Sequence, residues 1–114
     1  MKVVSIKENS DFKRLYYRGK SEVKKNIALY YRKNRFSYNR LGITVSPKVG
    51  KAVIRNRVKR LLKENYRIIQ GMSTGYDIVI VARKRAAYAS FYELKKDMEE
   101  AFYSCGLLKG IKND

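Results

Sequence analysis

The sequence contains no histidine and only one cysteine among its 114 residues. Structural and catalytic zinc sites draw most of their ligands from these two residue types, so a zinc site is effectively excluded. Cys105 alone cannot form an intrachain disulfide, and a reducing compartment is therefore the default expectation.

Long hydrophobic segments are also missing. The longest aliphatic run, "IVIVA" at 78–82, is far too short to cross a bilayer. The N-terminal "MKVVSIKENS" has only two consecutive apolar residues after its lysine, so it shows no signal peptide. These features predict a cytoplasmic protein.

Acidic residues are scarce, and their distribution is uneven. Ten Asp and Glu face 27 Lys and Arg, which gives a formal net charge of +17. Solubility alone would need a net charge of roughly 2 to 8 in a small domain, so the excess indicates a polyanionic partner, most commonly nucleic acid. No acid lies between Glu22 and Glu64, yet residues 24–63 hold thirteen Lys and Arg.

Length and composition predict one folded domain over residues 1–114, because 45% of the residues are hydrophobic. A short helix is expected at 10–18, capped by Ser10 or Asn9 and ended by Gly19. Period-2 alternation and aliphatic runs predict strands, and period-3.6 patterns predict two further helices. The strands are at 26–33, 40–46 and 76–82, and the helices at 51–69 and 90–104.

The strands are expected to differ in their surroundings. The first two, joined by the polar loop 34–39, are predicted to form an antiparallel pair. The third, "YDIVIVA", is a continuous aliphatic run and is expected to be buried on both faces, as a central or parallel strand.

The helix at 51–69 divides into an apolar and a cationic face when its residues are placed at 100° intervals. The apolar stripe, expected to face the sheet, contains Ile54, Val58, Leu61, Leu62, Ile68 and Ile69. The opposite face contains Asn56, Lys59, Arg60, Lys63 and Arg67, with Arg55 and Arg57 on the two borders.

Glu64 is the only acid on this helix against seven Lys and Arg. A solvated face without a partner and a membrane-surface helix are alternatives. Cations of one sign clustered along a helix nevertheless favour nucleic-acid binding.

Ten tyrosines accompany these cations. Phe12, Tyr16 and Tyr30 are more often core or half-buried residues, but rings beside cations also suit the stacking of single-stranded bases. Catalytic constellations are missing: the chain has no histidine, no paired carboxylates near a nucleophile and no Gly-rich phosphate loop. By itself the chain is therefore interpreted as a binding protein.

The stretch "VGKAVIRNRVKRLLKE", residues 49–64, resembles the signature of the bacterial ribonuclease P protein subunit. The flanking stretches "DFKRLYYRG", "LGITVSPKVG" and "YDIVIVARKRA" resemble the same family, and the likeness covers roughly residues 7–104. The signature residues matched are Ala52, Arg55, Asn56, Arg57, Val58, Lys59, Arg60, Leu62 and Lys63.

The predicted elements and this resemblance together imply an α+β two-layer sandwich with three helices on a mixed four-stranded sheet, in the order αβββαβα. The resemblance implies a left-handed strand–helix–strand crossover, whereas a right-handed one is the usual expectation.

The resemblance also implies a function. The family's partners are the catalytic RNA of ribonuclease P and the single-stranded 5′ leader of precursor tRNA, with no membrane and no obligate protein partner. The RNA and its Mg²⁺ carry out leader removal, so this chain would contribute no catalytic residue, no metal ligand and no organic cofactor. It would hold the leader and lower the metal requirement.

Two sets of site residues follow from the resemblance. The leader-binding cleft would contain Phe12, Tyr16, Ala28, Tyr30, Thr44, Asn56, Lys59 and Lys63. Contacts to the catalytic RNA would come from Arg55, Arg57, Arg60, Lys48 and Lys51. Position 16 is Tyr where the family often has Phe, and the N-terminus lacks the dense basic run common in relatives.

Two other functions remain open from the residues. One is a structural RNA-binding protein of ribosomal type, without a processing role. The other is a self-sufficient nuclease, which the missing catalytic groups disfavour.

Overall fold

A five-stranded mixed sheet forms the centre of the computed structural model, which describes residues 3–109. The strands lie side by side in the order β1-β4-β5-β3-β2. Two short 3₁₀ segments, Pro47–Val49 and Lys84–Tyr88, connect the elements. In chain order the elements are β1 (Val4–Ser5), α1 (Asn9–Arg18), β2 (Lys20–Val23), β3 (Ile27–Lys33), β4 (Arg40–Thr44), α2 (Ala52–Ile68), β5 (Tyr76–Ala82) and α3 (Phe91–Ser104).

The central strand is β5, as its aliphatic run predicted. It pairs in parallel with β4, where Gly42 lies beside Val79, and antiparallel with β3, where Leu29 lies beside Ile80. Ile78, Val79 and Ile80 have no exposed surface. Because successive side chains point to opposite faces, both faces of β5 are buried.

The predicted antiparallel pairing of β3 with β4 is wrong, because β5 lies between them. The loop 34–39 must therefore span two strand spacings, about 10 Å, which a six-residue connection reaches easily. The backbone N–H of Asn34 donates to the carbonyl of Gly75 at 2.8 Å, which fastens the start of this loop to the entrance of β5.

The sheet has five strands where four were expected. The strands located at 26–33, 40–46 and 76–82 correspond to β3, β4 and β5; β2 is the fourth strand of the predicted order, which no sequence pattern located, and β1 is the additional one. β1 has only two residues, which pair with Arg40 and Leu41 of β4. A strand this short has no detectable alternation, so the sequence pattern could not reveal it.

Helices cover both faces of the sheet, so the predicted two-layer arrangement is also corrected. On one face α2 and α3 bury Leu62 and Phe102 against the sheet. On the other face Leu15 of α1 packs with Val79 and Ile6. A strand that is apolar on both faces requires such cover on each side.

The two-faced character of α2 is confirmed, with one exception. Val58, Leu61 and Leu62 are buried, and the predicted cationic face is exposed. Ile68, predicted to face the sheet, is 51% exposed. It is the final residue of the helix, and the buried side of its last turns is formed by Asn65 and Tyr66 instead.

The predicted cap of α1 is wrong, since Asn9 and Ser10 lie inside the helix and Glu8 occupies the capping position without a side-chain bond. At α3 a reciprocal capping box joins Ser90 and Glu93. The handedness of the β4–α2–β5 crossover stays a prediction. No helix within residues 3–109 has the length and apolar character needed to span a membrane.

A charged pair links the starts of β4 and β5. Arg40 donates two hydrogen bonds to the carboxylate of Asp77, at 2.8 and 2.6 Å, and Asn34 donates a third at 2.9 Å. Burial alone would raise the pKa of Asp77, but the bonds from Arg40 and Asn34 outweigh it, and the pKa lies below its usual value. The pairing thus stabilises the ionised carboxylate.

We expect Asp77→Asn to lower the free energy of unfolding at pH 7 by about 3 kcal/mol, because the largely buried Arg40 guanidinium loses its closer carboxylate and keeps only Asp11 at 3.4 Å. The folded pKa is depressed, so this stabilisation is present above about pH 4 and is lost as the pH falls through the folded pKa. Urea unfolding at pH 7 and pH 3 measures both effects.

The matched control is Glu64→Gln, because Glu64 lies 4.0 Å from Arg60 on the exposed face of α2. Its effect is expected to stay within about 0.5 kcal/mol. Equal losses for the two variants, or a loss at Asp77 that does not shrink in acid, would contradict the assignment.

Candidate nucleic-acid interface

A groove runs between α1 and the outer part of β4, and Phe12 forms its floor. The Phe12 ring lies directly over Gly42, where an added Cβ would come within 2.6 Å of ring atom Cε1. Only glycine leaves room for the ring at this depth. The ring packs on the cluster of Ile6, Leu15 and Val79, which keeps it half-buried and in place.

Three further predicted cleft residues lie together one helical turn after Phe12: Tyr16, Thr44 and Tyr30. The hydroxyl groups of Tyr16 and Thr44 are 3.0 Å apart and hydrogen-bonded. The rings of Tyr16 and Tyr30 contact edge to face, with centroids 5.1 Å apart. Tyr16 is 40% exposed, so the pair presents aromatic surface to solvent. The hydroxyl that a Phe would lack fixes the ring of Tyr16 to β4.

Ala28 continues this surface along β3. It lies two residues before Tyr30, on the same face of the strand, and pairs in register with Val81. Because its side chain is small, the surface of β3 beside the two tyrosine rings is recessed.

Two lysines of α2 border the groove at the sheet edge. Lys59 and Lys63 line a cavity of about 420 Å³ together with Phe12 and Gly42. β1 pairs with β4 only as far as Leu41, so the outer edge of β4 beyond that residue has no strand partner within residues 3–109. Arg60, predicted to contact the catalytic RNA, also lines it, so the cavity combines an aromatic ring, a free strand edge and three cations.

Asn56 does not line this cavity. It is exposed on the same face of α2, one turn before Lys59. The structure thus brings seven of the eight predicted cleft residues into one continuous surface and leaves Asn56 at its end.

The arginines of α2 differ in how they are held. Arg55 donates to the carbonyl of Gly50 at 3.1 Å, and Arg57 donates to the carbonyl of Ala89 at 3.2 Å. These bonds orient two guanidinium groups and leave their other N–H donors free. Arg60 is mostly exposed, with Glu64 as a distant partner.

Lys48 and Lys51 stand exposed at the entrance of α2, where Lys51 occupies the capping position. No carboxylate of residues 3–109 forms an ion pair with either lysine or with Arg55 or Arg57. One flank of the molecule therefore carries cations that the chain itself does not neutralise.

Sequence reasoning missed Gly42 as a site residue. The signal was a glycine inside a strand, which often marks the close approach of another group. Its partner, Phe12, is 30 residues away in sequence and could not be identified from spacing.

The described residues do not fit a magnesium ion of their own. Mg²⁺ prefers carboxylate and other oxygen ligands. Within residues 3–109 no group of three or more His, Cys, Asp or Glu could hold a metal ion. Cationic side chains, not carboxylates, dominate the groove.

Comparisons with known proteins identify the family. The family model described as Ribonuclease P matches residues 1–106. The ribonuclease P protein component of Clostridium botulinum (strain Langeland) is 45% identical over 115 residues, covering 99% of this chain and 100% of that protein. The same component of Thermoanaerobacter sp. (strain X514) is 41% identical over 110 residues, covering 96% and 95%.

Solved structures support the same family assignment. The RNase P protein of Staphylococcus aureus superposes with a TM-score of 0.84 at 31% identity, covering 95% of this chain and all of that one. The RNase P protein of Thermotoga maritima gives 0.76 at 32% identity, covering 96% and 98%. The resemblance seen in the arginine-rich helix is confirmed: the chain belongs to the ribonuclease P protein family, the protein component of an endoribonuclease of tRNA processing.

Proposed function

We propose that this protein binds the catalytic RNA of ribonuclease P and, at the same time, the single-stranded 5′ leader of precursor tRNA. In this proposal the RNA and its Mg²⁺ carry out the cleavage, and the protein acts by binding. We also propose that it works in the cytoplasm, where its single cysteine would stay reduced.

One observation carries the leader assignment: half-buried rings and unpaired lysines border the same groove. Single-stranded RNA is bound by stacking of bases on aromatic rings while cations follow the backbone. Phe12, Tyr16 and Tyr30 supply the rings, and Lys59 and Lys63 supply the charge. Their spacing across three elements, α1, β3 and α2, and a free strand edge suits an extended strand better than a folded duplex.

The arginines of α2 support the contact to the catalytic RNA. Arg55 and Arg57 are oriented by backbone carbonyls, so their remaining donors are presented in a fixed direction. A guanidinium held this way can bind phosphate bidentately with little further loss of entropy. Phosphate neutralisation by protein cations replaces bound counterions, which explains how the protein would lower the metal requirement.

The family favours this processing role over a structural role of ribosomal type, and no observation on the fold favours the latter. A self-sufficient nuclease is disfavoured because no acid–base constellation lies in the groove, in keeping with the missing catalytic groups noted in the sequence.

Addition of this protein to a bacterial ribonuclease P RNA at low Mg²⁺ is expected to accelerate 5′ cleavage of precursor tRNA. Gel-based single-turnover rates with and without protein measure the effect, and the protein without RNA is the control. No acceleration would refute the proposal, and cleavage by the protein alone would support the nuclease instead.

Tyr30→Ala is expected to weaken binding of leader-bearing precursor tRNA by about 5- to 150-fold, the range for one stacked base, while mature tRNA binds as before. Filter binding with the reconstituted holoenzyme separates the two ligands. Tyr103→Ala on α3, at a similarly half-exposed ring, should change neither affinity. An equal loss for both ligands upon Tyr30→Ala would argue against the groove.

Arg60→Gln is expected to weaken assembly with the catalytic RNA and to reduce the slope of log affinity against log salt by about 0.7 to 0.9. Lys96→Gln, which removes an exposed cation from the acidic helix α3, provides the control. An unchanged slope for Arg60→Gln, or the same change for both variants, would count against a phosphate contact at Arg60.

A further inference from the structure

A second cationic cavity lies on the other side of α1. Its volume is about 570 Å³, and it is enclosed by α1, the end of β3 and the loop 34–39. We call it the arginine basin, after the six cations that line it: Arg14, Arg18, Arg32, Lys33, Arg35 and Arg40.

The basin is separate from the groove between α1 and β4 that we propose for the leader, here called the leader groove, because α1 divides them. Leu15 points down onto the sheet, and at 100° per residue Phe12 and Tyr16 flank it on one side. Arg14 and Arg18 flank it on the other side. A ligand in the basin therefore contacts a different side of α1 from a ligand in the groove.

The two carboxylates of the basin are already used. Asp77 accepts two hydrogen bonds from Arg40, and Asp11 accepts one from Arg14 at 2.7 Å and a third from Arg40 at 3.4 Å. No carboxylate in the described part of the chain forms an ion pair with the remaining four cations, Arg18, Arg32, Lys33 and Arg35. The basin thus keeps an excess of positive charge in a concave site, where it attracts anions.

An aromatic stack stands at the rim of the basin. The rings of Phe36 and Tyr38 are stacked with centroids 5.0 Å apart and planes 19° apart, and both are about two-fifths exposed. The Arg40 guanidinium lies 5.1 Å from the centre of the Phe36 ring. Exposed rings stacked on each other offer a π-face to a further planar group.

The loop that carries the stack is held in shape. The Asn34 side chain accepts from the backbone N–H of Phe36 at 2.8 Å and donates to the carbonyl of Tyr38 at 3.2 Å. The same side chain donates to Asp77 beneath the basin. The stack is therefore fixed relative to the cations, and little ordering is needed upon binding.

We propose that the arginine basin with the Phe36–Tyr38 stack is a second binding site for single-stranded RNA, separate from the leader groove and from α2. A phosphate lies among Arg18, Arg32 and Arg35, and the neighbouring base stacks on Tyr38, because the Phe36 ring already contacts Tyr38 and Arg40. Rings beside guanidinium groups are the combination that binds unpaired nucleotides irrespective of sequence. The basin itself does not depend on the leader assignment, whereas the count of two sites in the test below includes the leader groove.

The test counts binding sites with pentaadenylate at 150 mM salt, using isothermal titration calorimetry on the full chain. Two molecules per protein are expected. Arg35→Gln with Phe36→Ala should lower one of the two affinities by about 5- to 150-fold, the range for one stacked base, and leave the other unchanged. The double variant Tyr92→Ala with Lys96→Gln removes an exposed ring and a cation from α3 and should keep both sites.

Each result decides the proposal. A single site that Arg35→Gln with Phe36→Ala does not affect would overturn it, as would equal losses in the α3 control. If AMP binds the basin as tightly as pentaadenylate, the ligand is a free nucleotide and not an RNA strand, and the proposal is wrong. If an RNA duplex binds more tightly than pentaadenylate, base stacking on the rings is excluded. If Tyr30→Ala leaves both sites intact while the basin variant removes one, the leader groove fails and the basin stands.

Discussion

The arrangement of the molecule depends on a central strand that is apolar on both faces. Because Ile78, Val79 and Ile80 of β5 are all fully buried, helices must cover the sheet on each side. α2 and α3 cover one face, and the shorter α1 covers only part of the other. The uncovered margins on either side of α1 become two concave surfaces, the leader groove and the arginine basin.

The sequence predicted individual elements better than their partners. Periodicity located α2 within one residue at each end and identified β5 as the central strand. It wrongly paired β3 with β4, because alternation reports which side of a strand is buried and not which strand lies beside it. β1 went unnoticed because two residues carry no period, and Ile68 is exposed because the helix ends there.

In the candidate site, too, features within one element were predicted better than contacts between elements. The cationic face of α2 was visible because its charges lie close together in the sequence, and the resemblance supplied the aromatic residues of α1 and β3. The fit of Phe12 over Gly42 could not be predicted, since it depends on how α1 crosses β4. The basin could not be found either, because Arg40 and Asp77 are 37 residues apart and meet only in the folded sheet.

The central claim is that α1, β3 and β4 together hold the leader of precursor tRNA. Photo-crosslinking tests it most directly, with 4-thiouridine placed in the leader of a precursor bound to the reconstituted holoenzyme and the attached peptides identified by mass spectrometry. The account predicts crosslinks within 12–16 and 28–30, near the Tyr16–Tyr30 pair. Crosslinks confined to α3, at residues 91–104, would contradict it.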